Sequence, residues 1–182
     1  SDIFSTQEYR EIEALLNEYS HLKKIVFTGN IGECQDLPSV LKAIEILRHR
    51  TDFVFLIVGS GREELHVSRL VSDYGLENHV KMLGRFPVEY MPSFYHFADA
   101  LLLPLAKDPL FEITLPGKTQ SYLNAGRPII GFLDGEGASV LHRSKSAFVC
   151  PAGNYNELAK AIEKTCNSNQ GELDEVGLSA RR

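Results

Sequence analysis

The chain has 182 residues, of which 43% are hydrophobic and 24% are charged, values typical of a folded domain with a sizeable core. Its formal net charge of −5 provides no positive field for a polyanion, so nucleic-acid partners are not expected. No apolar run reaches the ~18 residues of a membrane span, so direct membrane insertion by this segment is not expected either.

Short apolar runs alternate with segments of helical periodicity along most of the chain. The apolar runs predict strands at residues 24–28, 53–58, 79–83, 98–103, 128–132 and 147–150. The periodic segments predict helices at residues 6–20, 37–48, 63–74, 87–97, 118–124, 135–144 and 154–166. This alternation is typical of an α/β fold, and we predict a Rossmann-like parallel six-stranded sheet flanked by helices.

The two ends of the chain differ from this alternating middle. The first predicted helix, with Ser5 as its cap, lies in residues 1–22, a segment that we expect to pack on the domain. The domain itself is predicted to span residues 23–166. Residues 167–182 form a polar tail whose weak pattern predicts no particular structure.

Four glycine-containing loops are predicted at one edge of the sheet. Residues 29–32 (GNIG), 59–61 (GSG) and 84–87 (GRFP) each follow a predicted strand, and residues 116–118 (PGK) lie before the fifth strand. In sheets of this kind, ligands bind outside the carboxyl ends of the strands. The loops together therefore predict a binding cleft at that edge.

The most informative stretch is FEITLPGKTQSYLNAGRPII, residues 111–130, which joins a helix start to a buried strand. Pro116 cannot extend a strand, Gly117 lets the backbone come close to a ligand, and Lys118 adds a positive charge. Free backbone N–H groups at the start of the helix predicted over residues 118–124 favour an anion there. We predict that this turn binds phosphate.

With these motifs in order, the chain resembles the carboxyl-terminal, donor-binding domain of retaining GT-B glycosyltransferases, the group 1 or family 4 class. The resemblance runs from about residue 24 to residue 166 and is strongest to bacterial enzymes of envelope-polysaccharide synthesis. The motifs that carry it are FTGNIG (27–32), IVGSG (57–61), LG (83–84), ADALLLP (98–104), PGK (116–118), YLNAGRP (122–128) and DGEGA (134–138).

The resemblance implies a function and a missing partner domain. It implies that this half binds a nucleotide diphosphate sugar, with a UDP-sugar as the expected donor, for transfer to a glycan or lipid-linked acceptor. It also implies that an absent amino-terminal half binds the acceptor, so that this chain is an inactive fragment whose residues 1–22 follow the interdomain linker. The full-length protein is expected in the cytoplasm or at the periphery of the inner membrane.

The resemblance also assigns residue roles. Glu112 is similar to the first carboxylate of the family's paired acidic motif and is expected to contact the donor sugar, while Lys118 is expected to neutralise the diphosphate. Both are therefore the candidate catalytic residues. Further donor contacts are implied for Gly29, Asn30, Gly32, Arg85, Phe86, Thr114, Leu115, Gly117 and Ser121.

The chain departs from the family pattern at two places. The second carboxylate of the acidic motif, expected to bind ribose, is replaced by Ser121 or Gln120. A basic pair that many relatives carry after the first strand is replaced by Ile31 and Gln35. These departures keep open a noncatalytic Rossmann-like nucleotide-binding or interaction domain as an alternative.

A dinucleotide-dependent oxidoreductase is a second alternative, because the predicted architecture is the same. Residues 29–34 (GNIGEC), however, lack the third glycine of the dinucleotide fingerprint. Cys34, Cys150 and Cys166 are an odd number without metal-ligand spacing, which favours reduced thiols and a cytoplasmic setting. We expect neither a metal site nor a bound cofactor.

Overall fold

The computed structural model of the chain describes residues 2–181 and contains one parallel sheet over that range. Its strands are, in chain order, Lys23–Thr28 (β1), Phe53–Val58 (β2), Val80–Gly84 (β3), Ala100–Pro104 (β4), Ile129–Phe132 (β5) and Ala147–Cys150 (β6). Their order across the sheet is β3-β2-β1-β4-β5-β6, with every neighbouring pair parallel. The predicted six-stranded Rossmann-like sheet is confirmed.

Helices cover both faces of this sheet. They are Gln7–Leu16 (α1), Leu37–Ile46 (α2), Glu64–Asp73 (α3), Met91–Phe97 (α4), Pro109–Glu112 (α5), Thr119–Asn124 (α6), Gly135–Ser144 (α7), Tyr155–Asn167 (α8) and Gln170–Leu178 (α9). Because side chains alternate across a strand, Phe27 of β1 packs in the cluster with α2, α3 and α8, while its neighbour Val26 packs in the cluster with α1, α4, α6 and α7. The strands are therefore buried on both sides, as in other parallel sheets.

The first helix and its cap each lie one residue later than predicted. Thr6, not Ser5, is the cap of α1, because its side chain accepts a hydrogen bond from the Tyr9 N–H at 3.1 Å. Ser5 lies in a 3-10 turn before it. The helix also ends at Leu16, and a second 3-10 turn follows at Asn17–Tyr19.

The polar tail contains a helix that its sequence pattern does not predict. Asn169 and Glu172 form a capping box at the start of α9. In that helix the buried residues are Leu173 and Gly177, too few to give a clear apolar stripe. A Cβ on Gly177 would overlap the backbone oxygen of Gly126, so the tail helix packs closely against the end of α6.

The order of strands reverses between β1 and β4. These strands pair through Ile25 with Ala100 and Val26 with Leu101, whereas β1 stays paired with β2 as far as Thr28. Beyond Val26, the two strands separate at their carboxyl ends. A switch point of this kind opens a crevice in which α/β proteins bind ligands.

Candidate functional site: a cleft at the carboxyl edge of the sheet

A cleft of about 520 Å³ opens at the carboxyl ends of β1, β2 and β3. Its walls are the three loops that follow these strands, together with the start of α4. The lining residues are Gly29, Asn30, Val58, Gly59, Ser60, Arg85, Phe86, Pro87, Val88 and Met91.

Backbone hydrogen bonds between neighbouring loops hold the walls of the cleft. The Gly29 N–H donates to the Val58 oxygen at 2.9 Å, and the Gly59 N–H donates to the Gly84 oxygen at 2.8 Å. The Ile31 N–H donates to the Ser60 oxygen at 2.9 Å. The ladder of the sheet therefore continues into the loops and makes them one connected rim.

Gly59 is required where two of these loops meet. Its φ of +150° is a conformation that other residues rarely adopt, and a Cβ at this position would overlap the Gly29 carbonyl oxygen. Glycine at this position therefore allows the loops after β1 and β2 to touch backbone to backbone.

Lys118 lies at the edge of this cleft. Its Nζ donates to the Thr28 carbonyl oxygen and lies 4.1 Å from the centre of the Phe27 ring. A Cβ built on Gly29 would overlap this Nζ, so the ammonium lies directly against a cleft residue. The side chain of Lys118, the N-cap residue of α6, thus reaches across the switch point to the end of β1.

The ammonium of Lys118 is largely desolvated. Burial lowers its pKa from 10.5 to about 8. Within residues 2–181, it forms no ion pair with a carboxylate. The Thr28 carbonyl oxygen and the Phe27 ring stabilise it only in part, because each carries a partial charge.

Tyr122 contacts the same end of β1 from the next turn of α6. Its hydroxyl accepts a hydrogen bond from the Thr28 N–H at 3.1 Å and lies 3.1 Å from the Thr28 Oγ1. The side chain is fully buried, and this burial raises the pKa of its phenol.

The structure brings together part of the site that the sequence predicts. Gly29, Asn30, Arg85 and Phe86 line the cleft, and Lys118 reaches its edge. Gly32 belongs to the same loop as Gly29 and Asn30 but does not line the cleft. Its N–H donates to the Gln35 side chain at 3.0 Å, so this group serves the local turn.

Five other predicted site residues do not line the cleft. Glu112, Thr114, Leu115, Gly117 and Ser121 are all exposed, on α5, α6 or the segment between them. The Glu112 backbone packs against Gly135, and the Thr114 hydroxyl donates to the Leu110 oxygen at 2.9 Å. Their contact with a donor stays a prediction.

Several cleft residues are absent from the sequence-based set. The GSG motif at residues 59–61 marks the loop of Gly59 and Ser60, so the signal for these two residues was present. Pro87 likewise belongs to the GRFP motif at residues 84–87. Val88 and Met91 carry no such signal, because only the folded chain after β3 turns them toward the cleft.

Residues 2–181 contain neither a metal-ligand cluster nor a membrane-spanning helix. No group of three or more His, Cys, Asp or Glu side chains is arranged to hold a metal ion. No helix in this range combines the length and apolar character needed to cross a membrane.

The fold matches that of several solved structures. The sucrose-phosphate synthase of Thermosynechococcus elongatus superposes with a TM-score of 0.79 at 20% identity, covering 94% of this chain and 43% of that one. Anabaena Alr3699/HepE, solved in complex with UDP and glucose, superposes with a TM-score of 0.77 at 16% identity, covering 97% of this chain and 47% of that one. The chain therefore shares its Rossmann-like fold with these two structures.

The sequence match is more specific. Residues 22–168 match the family described as "Glycosyl transferases group 1", and the chain belongs to this family. The 2-deoxystreptamine glucosyltransferase of Streptomyces kanamyceticus is 23% identical over 153 residues, 84% of this chain and 38% of that protein. The amylovoran biosynthesis glycosyltransferase AmsK of Erwinia amylovora is 26% identical over 156 residues, 84% of this chain and 37% of that protein.

The family resemblance that the sequence motifs indicate is therefore confirmed. The chain spans well under half the length of these two relatives.

Proposed function

We propose that this chain is the donor-binding half of a retaining glycosyltransferase that uses a nucleotide diphosphate sugar, with UDP as the nucleotide. The observation that carries the proposal is the Lys118 ammonium, desolvated and without a carboxylate partner in residues 2–181, at the rim of the three-loop cleft. A partly buried cation without a counter-charge is unfavourable, and a bound anion would offset that cost. Relatives named as glycosyltransferases, and UDP in the HepE complex, support the choice of ligand class.

In this proposal the diphosphate lies beside Gly29 and Lys118. An ammonium has three N–H donors, and the Thr28 carbonyl oxygen takes one, which leaves two for phosphate oxygens. Negative charge grows on the diphosphate as the sugar–phosphate bond breaks. Lys118 stabilises this charge, and its effect is strong because the site is poorly solvated.

The nucleobase is assigned to the wall formed by the loop after β3. Phe86 is held by an edge-on contact with Phe94 and a tilted contact with Tyr90, at ring-centre distances of 5.0 and 5.6 Å. Arg85 is exposed beside it, and its flat guanidinium suits stacking on a base. This wall is otherwise apolar, which favours a base over a sugar.

Glu112 is assigned to the donor sugar on the basis of its place in the acidic motif. It lies on α5, directly after β4, and so at the same edge of the sheet as the cleft. The acceptor is assigned to another part of a longer protein, in keeping with the share of its relatives that this chain spans. The proposed acceptor is a glycan or a lipid-linked sugar.

Calorimetric titration of the chain with UDP tests the donor site. We expect binding in the millimolar range or better, and at least about tenfold weaker binding by Lys118→Ala. Lys160→Ala is the matched control, because this lysine is 74% exposed on α8 and pairs with Glu157 in water.

Failure of UDP and related nucleotides to bind, with Lys118→Ala indistinguishable from the wild type, would refute the assignment of this cleft. A rise in melting temperature with a nicotinamide dinucleotide, but not with UDP, would point to the oxidoreductase alternative instead.

A further inference from the structure

The carboxyl end of β1 has a strand on one side only. Gly29 donates to the Val58 oxygen of β2, so the backbone groups of Gly29 face β2. Backbone groups of successive residues in a strand point to opposite sides, so the N–H and the carbonyl of Thr28 face β4. Pairing with β4 is found at Ile25 and Val26 and not at Thr28, and the structure describes all of these residues.

Helix α6 and its N-cap residue, Lys118, supply the two missing partners. The Tyr122 hydroxyl accepts from the Thr28 N–H at 3.1 Å, and the Lys118 Nζ donates to the Thr28 carbonyl oxygen. The two side chains are four residues apart, which places them on one face of the helix. One helix face therefore takes the place of a strand at the switch point.

The hydrogen bond between Tyr122 and Thr28 is buried, so each group needs a partner within the protein. Thr28 is 4% exposed and Tyr122 is 0% exposed, so water does not compete for these groups. The Tyr95 ring meets the Tyr122 ring edge-on at 5.5 Å and holds it in place. A buried N–H that loses its acceptor is costly, and the backbone shifts to relieve the loss.

We propose that Tyr122 is a positioning residue for the donor site. By accepting from the Thr28 N–H, it fixes the Thr28 carbonyl oxygen that in turn orients the Lys118 ammonium against Gly29. The role of Tyr122 in ligand affinity rests on the proposed function, whereas its control of the Lys118 environment does not.

Tyr122→Phe in the full chain tests the inference, because phenylalanine keeps the packed ring and removes only the hydroxyl. We expect the variant to fold, with the affinity for UDP reduced about fivefold to tenfold. The amide hydrogen of Thr28 should exchange faster. The pKa of Lys118 should rise from about 8 toward 10.5, as measured by NMR of the labelled ammonium. Tyr19→Phe is the matched control, since Tyr19 is also a buried tyrosine of the same hydrophobic cluster.

The outcomes distinguish the positioning role of Tyr122 from the proposed function of the chain. The inference is overturned if Tyr122→Phe only lowers the melting temperature. In that case Thr28 exchange, Lys118 titration and UDP affinity are all equal to those of Tyr19→Phe, and Tyr122 is merely structural. If the wild type binds no UDP, the proposed function fails. The Thr28 exchange and the Lys118 titration then still decide whether Tyr122 positions the ammonium.

Discussion

Lys118 is the residue at which function and stability oppose each other. Its folded pKa of about 8 lies below the ordinary 10.5, so the folded chain binds fewer protons than the unfolded chain between these values. Stability from this group therefore rises as the pH increases from about 8 to 10.5, where the unfolded chain also loses its proton. At neutral pH the folded state has to hold a poorly solvated charge.

We predict that Lys118→Met stabilises the chain at neutral pH. Methionine keeps an unbranched stem and removes the charge, so the free energy of unfolding should rise by about 1 kcal/mol, or roughly 2–4 °C in Tm. The advantage should shrink as the pH approaches 10.5. Thermal unfolding over a pH series measures it, with Lys160→Met as an exposed control, and a less stable Lys118→Met would contradict the argument.

A second prediction concerns the pH dependence of UDP binding. A bound diphosphate favours the charged amine and so raises the pKa of Lys118 above its free value of about 8. Affinity should be constant just below that pH and should fall as the pH rises above it. The phosphates of the nucleotide contribute no change there, since a terminal phosphate has its second pKa at roughly 6. Calorimetry above and below this pH should show the fall in the wild type and a flat profile in Lys118→Ala.

At the scale of elements, the rim of the cleft depends on backbone contact between loops. The connection is made by hydrogen bonds that continue the sheet and by the close approach of Gly59 to Gly29. A rim built in this way has little room for an added side chain. Its geometry is therefore set by the strands beneath it.

We predict that Gly59→Ala destabilises the chain by about 2 kcal/mol or more, because it adds both steric overlap and an unfavourable φ. Gly117→Ala is the control, because a Cβ at Gly117 would meet nothing within 4 Å, and its effect should stay within about 0.5 kcal/mol. Denaturant unfolding gives both values. Equal effects of the two substitutions would show that the loops adjust freely.

The elements that the sequence predicts best are those with long apolar runs. All six residues of β2 are apolar and buried, and this signal needs no tertiary information. Helix α9 was not predicted, since its stability comes from a capping box and from the packing of Gly177 on a distant turn. The four residues of α5 are too few for a helical period.

For the site, the sequence predicts which loops meet but not how Lys118 is oriented. The PGK motif at residues 116–118 indicates a phosphate-binding turn, and Lys118 lies at the cleft edge. Its contact with the Thr28 carbonyl depends on the separation of β1 and β4, residues far apart in sequence. No local pattern encodes that separation.

At the scale of the whole molecule, the proposed function makes this chain a binding unit rather than a complete catalyst. We predict that it transfers no sugar from UDP-sugars to glycan or lipid-linked acceptors, because the acceptor is assigned elsewhere. Incubation with labelled UDP-sugars and chromatography of the products checks this, with UDP binding as the test of a folded site. Sugar transfer by the chain alone would contradict the assignment of the acceptor.

The strand order divides the sheet into two halves, β3-β2-β1 and β4-β5-β6. The three loops of the cleft belong to the first half, whereas Lys118 and Tyr122 extend from the second. A nucleotide bound between them would connect the two halves of the sheet across the β1–β4 boundary. The amide hydrogens on both sides of that boundary should therefore exchange more slowly together when UDP is added, as one cooperative unit.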